Sequence, residues 1–207
     1  MKRISSYIFA AVAVGVVLTE IVTIPYLHQI FKPLIMLTLA VFYFYNCENR
    51  TTVVWLAMFF SFAGDVLLMF DSLDARFFMA GLTAFLLAHV CYILAYRQYQ
   101  NAVADHELKG IQKIRFAFPI VLAGTGLLVI LYPSLGPMKI PVTVYAIILI
   151  IMVINAIFRY GRTSSASFWL VFAGSLLFMV SDSLLAINKF FHPVPVAGFW
   201  IMSSYVL

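Results

Sequence analysis

Apolar runs long enough to cross a bilayer follow one another along almost the whole of this 207-residue chain, parted only by short polar segments. A crossing helix needs about 20 mostly apolar residues. Runs near residues 5–24, 34–45, 53–70, 78–96, 114–132, 140–158 and 168–188 supply the crossings, and a further run opens near Val196. The run at 34–45 is short, but Phe31 and the aromatic stretch Phe42, Tyr43, Phe44 and Tyr45 extend it. The last run stops at Leu207, well short of a full crossing, and is expected to be incomplete. Composition removes the alternatives: 64% of the residues are hydrophobic and 10% charged, against about 45–50% and 25% in soluble domains. The sequence therefore predicts an all-α, polytopic bundle of eight transmembrane helices, a single transmembrane domain over residues 1–207. Met1-Lys2-Arg3 opens the first run as a secretory signal would, yet the run reaches Ile24 without a small-residue cleavage site and reads as a retained helix.

Basic residues sit mainly between the runs. With the N-terminus in the cytoplasm, the inner segments hold Lys2, Arg3, Arg50, Arg97, Lys109, Lys113, Arg115, Arg159 and Arg162, and the outer ones only Lys32, Arg76, Lys139 and Lys189. The positive-inside rule favours that orientation and accounts for the net charge of +5 without a nucleic-acid partner. The longest polar segment, residues 98–113, reads as a cytoplasmic loop carrying Asp105, His106 and Glu107. Cys47 borders a loop and Cys91 lies within an apolar run, which speaks against a disulfide or a zinc spacing, and His28, His89, His106 and His192 form no HxxxH or HExxH pattern. Neither metal nor cofactor is expected. Phe62-Ala63-Gly64 and Phe172-Ala173-Gly174 echo each other, but close helix packing explains small residues better than an inverted repeat does.

An ionisable side chain at the centre of a spanning helix costs about 2.5–3.5 kcal/mol on insertion scales and is a functional hypothesis by default. Glu20, Asp65, His89 and Asp182 qualify, with Asn155, Ser61, Tyr92, Ser181 and Tyr205 as polar company. Glu20 lies near enough to the outer interface to reach water, and Asn155, near an inner end, reads as structural. Helical rise places Asp65 roughly 8 Å and Asp182 roughly 9 Å below the outer ends of their helices, with His89 roughly 16 Å down and Tyr205 at roughly 12–14 Å. Tyr92 follows His89 by one turn on the same face. A lone histidine in such a place is usually an interhelical hydrogen-bonder. The two aspartates are different, because neither has a lysine or arginine at i±3 or i±4 on its own helix. Two carboxylates at one depth without a neutralising cation favour one protonated acid beside an ionised one, the equipment of general acid–base chemistry.

The same residues carry a family pattern. Gly64-Asp65-Val66-Leu67-Leu68-Met69, the stretch from Phe78 through Gly81, Phe85 and His89 to Tyr92, Ser181-Asp182-Ser183-Leu184-Leu185, and Phe31-Lys32-Pro33-Leu34 resemble, in order, the signatures of the YhhN-like lysoplasmalogenase family. Tyr205 matches a family tyrosine in the last helix, beyond which family members continue, commonly with an Ala-Gln pair. The resemblance implies a membrane hydrolase acting on lysoplasmalogens, the 1-alkenyl lysophospholipids, to give a fatty aldehyde and a glycerophospho-ethanolamine or -choline, in a bacterial inner membrane.

Vinyl ether hydrolysis protonates the β-carbon, and water then captures the oxocarbenium ion. On this reading one of Asp65 and Asp182 donates the proton while the other stabilises the cation and orients water. His89 with Tyr92 positions water or relays a proton, Lys32 at the outer mouth meets the substrate phosphate or simply snorkels to the interface, and Tyr92, Ser181 and Tyr205 are further substrate contacts. The geometric expectation is that the third, fourth and seventh helices are mutual neighbours, with Asp65, His89 and Asp182 around one polar cavity that opens toward the outer leaflet and is shaped by Phe85, Gly64, Ala88 and Gly174. A second reading of the residues is a proton- or cation-coupled transporter, and a third is a scaffold without activity. Most prolines, Pro25, Pro33, Pro133, Pro137, Pro193 and Pro195, fall at span ends, against the broken helices that transporters use.

Overall fold

With no water to bond inside a bilayer, each apolar run must close its own backbone hydrogen bonds, and a helix does so within one segment. The computed structural model describes residues 2–22, 27–100 and 107–206. Among them run α1 (Lys2–Val22), α2 (Leu27–Asn46), α3 (Thr52–Leu68), α4 (Ala75–Gln98), α5 (Ile111–Leu131), α6 (Lys139–Ile157), α7 (Ser165–Phe190) and α8 (Ala197–Val206). No strand occurs among the described residues. Helices α1, α4, α5, α6 and α7 are long and apolar enough to cross a membrane, α3 has 17 residues, and α8 has 10. The chain is a polytopic integral membrane protein.

Local chemistry sets the ends. The Asp74 side chain accepts from the Arg76 backbone N–H (2.8 Å) to start α4, and Ser164 Oγ accepts from the Ser167 N–H (3.3 Å) to start α7. Pro133 and Pro137 stand in two short 3₁₀ turns, Tyr132–Ser134 and Gly136–Met138, that link α5 to α6. Val196 turns the chain into α8 at φ 53°, a left-handed conformation that costs a β-branched residue about 1–3 kcal/mol. One expected boundary moves: α2 starts at Leu27 rather than near residue 34, so Pro33 lies inside a helix and not at its end. Pro119 likewise lies inside α5. Proline removes one backbone donor, a loss that neighbouring helices can absorb in a bundle. Residues 23–24 of the first expected span, and Asp105 and His106 of the expected cytoplasmic loop, lie outside the described residues.

The helices pack as a closed ring in the order α1, α2, α3, α4, α6, α7, α8 and back to α1, with α5 outside it against α6 and α7. The tightest seam is α3 on α4, where small residues admit bulky neighbours. A Cβ at Gly64 would stand 2.5 Å from the Phe85 ring, and one at Gly81 would stand 2.8 Å from Leu68. Gly198 on α8 leaves room for the Glu20 carboxylate on α1, and Ser181 Oγ on α7 donates to the Ile201 carbonyl on α8 at 3.0 Å, so α8 is held on both sides. The expectation that α3, α4 and α7 are mutual neighbours is therefore corrected, because α6 lies between α4 and α7. Side chains of those two still meet across the interior, as Phe85 and Phe178 do with ring centroids 5.9 Å apart. The outer face carries exposed Ile4, Phe59, Leu122, Val129, Ile140 and Leu170, an apolar surface suited to lipid. Asp65 (2% exposed) and His89 (1%) lie inside.

Candidate active site

The ring interior gathers polar groups from five helices near the end where α2 and α4 begin and α3 and α7 finish. Lys32 of α2, Asp65 of α3, Ser181 and Asp182 of α7 and Tyr205 of α8 line one cavity of about 180 Å³, together with Phe85 of α4 and Asp71 at its mouth. Asp65 Oδ2 accepts a hydrogen bond from Tyr205 Oη at 2.7 Å. Asp182 Oδ2 accepts one from Tyr145 Oη of α6. Each carboxylate is thus oriented by a tyrosine from a different helix. Asp71 is paired with Lys189 at 2.5 Å, and that ammonium also lies 4.4 Å from the centre of the Phe78 ring. This pair straps the loop after α3 to the end of α7 beside the cavity.

A second, apolar cavity of about 80 Å³ adjoins the first. It lies between α4, α5, α6 and α7, roofed by Gly124, Leu127, Leu128 and Leu131 of α5, which explains why α5 stands outside the ring. The two cavities share Leu68, Phe78, Phe85, Asp182 and Leu185, so Asp182 stands where a polar chamber meets an apolar one, while Asp65 borders the polar chamber only. Gly124 is where a side chain would block the apolar chamber, since a Cβ there would lie 2.5 Å from Ile150 Cδ1 and 3.1 Å from Met179 Cε.

The structure brings together Lys32, Asp65, Ser181, Asp182 and Tyr205, and it leaves His89 and Tyr92 out of that cavity wall. His89 is sealed between the rings of Tyr145 (5.3 Å) and Phe178 (5.0 Å), and neither ring nitrogen has a hydrogen-bond partner among the described residues. Tyr145, one of the two rings that enclose His89, is the donor to Asp182. Tyr92, expected beside it as a substrate contact, lines a different cavity toward the other end of the bundle. Of the expected wall, Phe85 lines the chamber and Gly64 accommodates the Phe85 ring, whereas a Cβ at Gly174 would meet only open space. Asn155 Oδ1 accepts from Arg97 Nε at 3.0 Å. Tyr145, absent from the expected site, carries the same sequence signal as Tyr205, a hydroxyl within an apolar run. Asp71 and Lys189 gave no such signal, because charges at span ends are ordinary.

A sequence model of the YhhN family matches residues 27–207. The chain is 30% identical over 168 residues to lysoplasmalogenase TMEM86A of Homo sapiens, covering 78% of this chain and 64% of that one. It is 35% identical over 115 residues to the lysoplasmalogenase of Mycobacterium tuberculosis, covering 55% and 41%, and 30% identical over 158 residues to lysoplasmalogenase TMEM86A of Bos taurus, covering 74% and 60%. The chain thus spans 41–64% of the length of these relatives. No solved structure matches it.

Proposed function

The chain belongs to the YhhN family, and on that premise we propose that it is a membrane hydrolase cleaving the vinyl ether bond of lysoplasmalogen to a fatty aldehyde and a glycerophospho-ethanolamine or -choline. The relatives named lysoplasmalogenase support the reaction class. The observation that carries the proposal is the position of Asp182 at the junction of the two chambers. A lysoplasmalogen has a charged glycerophospho head and a long hydrocarbon tail, and the vinyl ether lies at the boundary between them. With the head beside Lys32 and Tyr205 and the tail under α5, that bond falls at Asp182.

Asp182 in its protonated form donates to the β-carbon of the vinyl ether, and the positive charge that develops on the ether oxygen and its carbon faces the Asp65 carboxylate. Asp65, steered by Tyr205, holds the water that adds to the cation, and the water's proton passes to the carboxylates as the hemiacetal forms. The hemiacetal collapses to aldehyde and free alcohol. Tyr145 donates to Asp182 Oδ2 and so turns the other oxygen toward substrate, with His89 as a positioning residue behind it. The proposed setting is a bacterial inner membrane with the N-terminus in the cytoplasm, which turns both chambers toward the outer leaflet and is supported by the arginines at the opposite end. The direct test is aldehyde release from lysoplasmalogen by the purified protein in detergent. Movement of protons or cations by reconstituted protein that releases no aldehyde overturns the proposal.

Two variants probe the two ends of the substrate. Lys32→Ala raises KM about tenfold with kcat nearly unchanged, as removal of a uniform binding contact to the phosphate does. An unchanged KM returns Lys32 to an interfacial role. Gly124→Leu fills the apolar chamber, so kcat/KM for long alkenyl chains falls about tenfold or more while short chains are hydrolysed nearly as before. Steady-state rates across a chain-length series decide it, and an equal loss for every length removes the apolar chamber from tail binding.

A further inference from the structure

Toward the opposite end of the bundle, a separate cavity of about 480 Å³ is lined by Tyr43, Tyr92, Tyr96, Tyr99, Arg159 and Ser167, among others. Its residues straddle the end of α2, the end of α4 and the α6–α7 connection, the level at which lipid head groups meet a bundle of this kind. Arg159 is the unusual member, being only 3% exposed. Its Nη2 donates to Ser167 Oγ (2.8 Å), its Nη1 to the Tyr96 carbonyl (3.3 Å), and its guanidinium lies 5.6 Å from the centre of the Tyr96 ring. All of these partners are neutral. Its Nε is buried without a hydrogen-bond partner, and no carboxylate is paired with it among the described residues. The neighbouring Arg162 is engaged by Glu107.

A buried cation held only by neutral groups is a poor arrangement unless an anion completes it. Guanidinium offers a planar fork that fits phosphate, and the Ser164 and Ser167 hydroxyls at the cavity wall, which act as acceptors in their bonds to the Ser167 N–H and to Arg159, keep their own protons to donate. We propose that this cavity is a phosphate-binding site, with Arg159 as the principal ligand, separate from the carboxylate chamber and filled by the phosphate of a membrane lipid head group or of a soluble phosphate compound.

The test measures binding to the full chain purified in a phosphate-free detergent buffer, with two probes, inorganic phosphate and a short-chain phosphatidic acid. Saturable binding of the lipid, displaced only by a large excess of inorganic phosphate, identifies a head-group site. Comparable binding of inorganic phosphate alone identifies a soluble ligand. Arg159→Gln weakens binding of the preferred probe at least tenfold. Because that variant also removes contacts to α4 and α7, Ser164→Asp is the companion: aspartate caps α7 as well as serine does, leaves the melting temperature in place, and sets a negative charge at the cavity wall that weakens binding at least tenfold. Failure of both probes to bind saturably, or wild-type affinity in either folded variant, overturns the site.

Discussion

Asp182→Asn abolishes most lysoplasmalogen hydrolysis while the protein remains extractable and monodisperse, kcat falling about 10²–10⁴-fold, the range that a positioned general acid contributes. The size follows from the position. Asp182 is the carboxylate common to the polar and apolar chambers, which makes it the acid placed to protonate a bond whose tail lies under α5. The fold tolerates the change, because an amide oxygen still accepts from Tyr145 and the replacement is nearly isosteric. What the amide lacks is a proton to give to carbon. Aldehyde release at saturating substrate is the measurement, and wild-type turnover in this variant would refute the assignment. Tyr145→Phe separates supply of the proton from its aim: the acid remains but swings freely, and the expected loss is smaller than that of Asp182→Asn.

Asp65→Asn has an effect of the same order, about 10²–10³-fold in kcat, for an electrostatic reason. The neutral amide cannot stabilise the oxocarbenium ion, and it orients water less strongly than an anion does. Lipid binding is retained, since Lys32 and the apolar chamber are untouched, so KM stays within a few-fold of wild type. Tyr205→Phe leaves the Asp65 anion in place but releases it from its 2.7 Å hydrogen bond, and the expected loss is again the smaller of the two. A KM rise with unchanged kcat in Asp65→Asn moves that residue from stabilising the transition state to binding the ground state.

The individual anomalies were visible along the chain, whereas their association was not. Asp65, Asp182, Ser181 and Tyr205 stand out because a polar group in an apolar run is costly wherever that run ends up. Which of them share a chamber depends on the ring order, and hydropathy carries nothing about α6 standing between α4 and α7 or α5 standing outside. Helical spacing correctly put His89 and Tyr92 one turn apart, but that turn separates the interior ring contacts of His89 from the arginine cavity that Tyr92 lines. Arg159 shows the same limit, since its position near a span end reads as a solvated cytoplasmic charge and only the packed structure buries it. Proximity between helices distant in sequence, not chemical type, is what the sequence alone withholds.

The bond between Tyr205 and Asp65 spans 140 residues, and this governs when the protein becomes competent during its synthesis. Helix α3 enters the bilayer long before α8 leaves the ribosome. Through that interval the insertion machinery and the growing bundle must carry Asp65 without its tyrosine donor, at the expense of a polar group in hydrocarbon, about 2.5–3.5 kcal/mol. Docking of α8 against α7 and α1 closes the ring and steers Asp65 in a single event. A nascent chain stalled before α8 therefore holds both acids in the host bilayer with one of them unaimed, and under the proposed function its chemistry waits for α8 to dock.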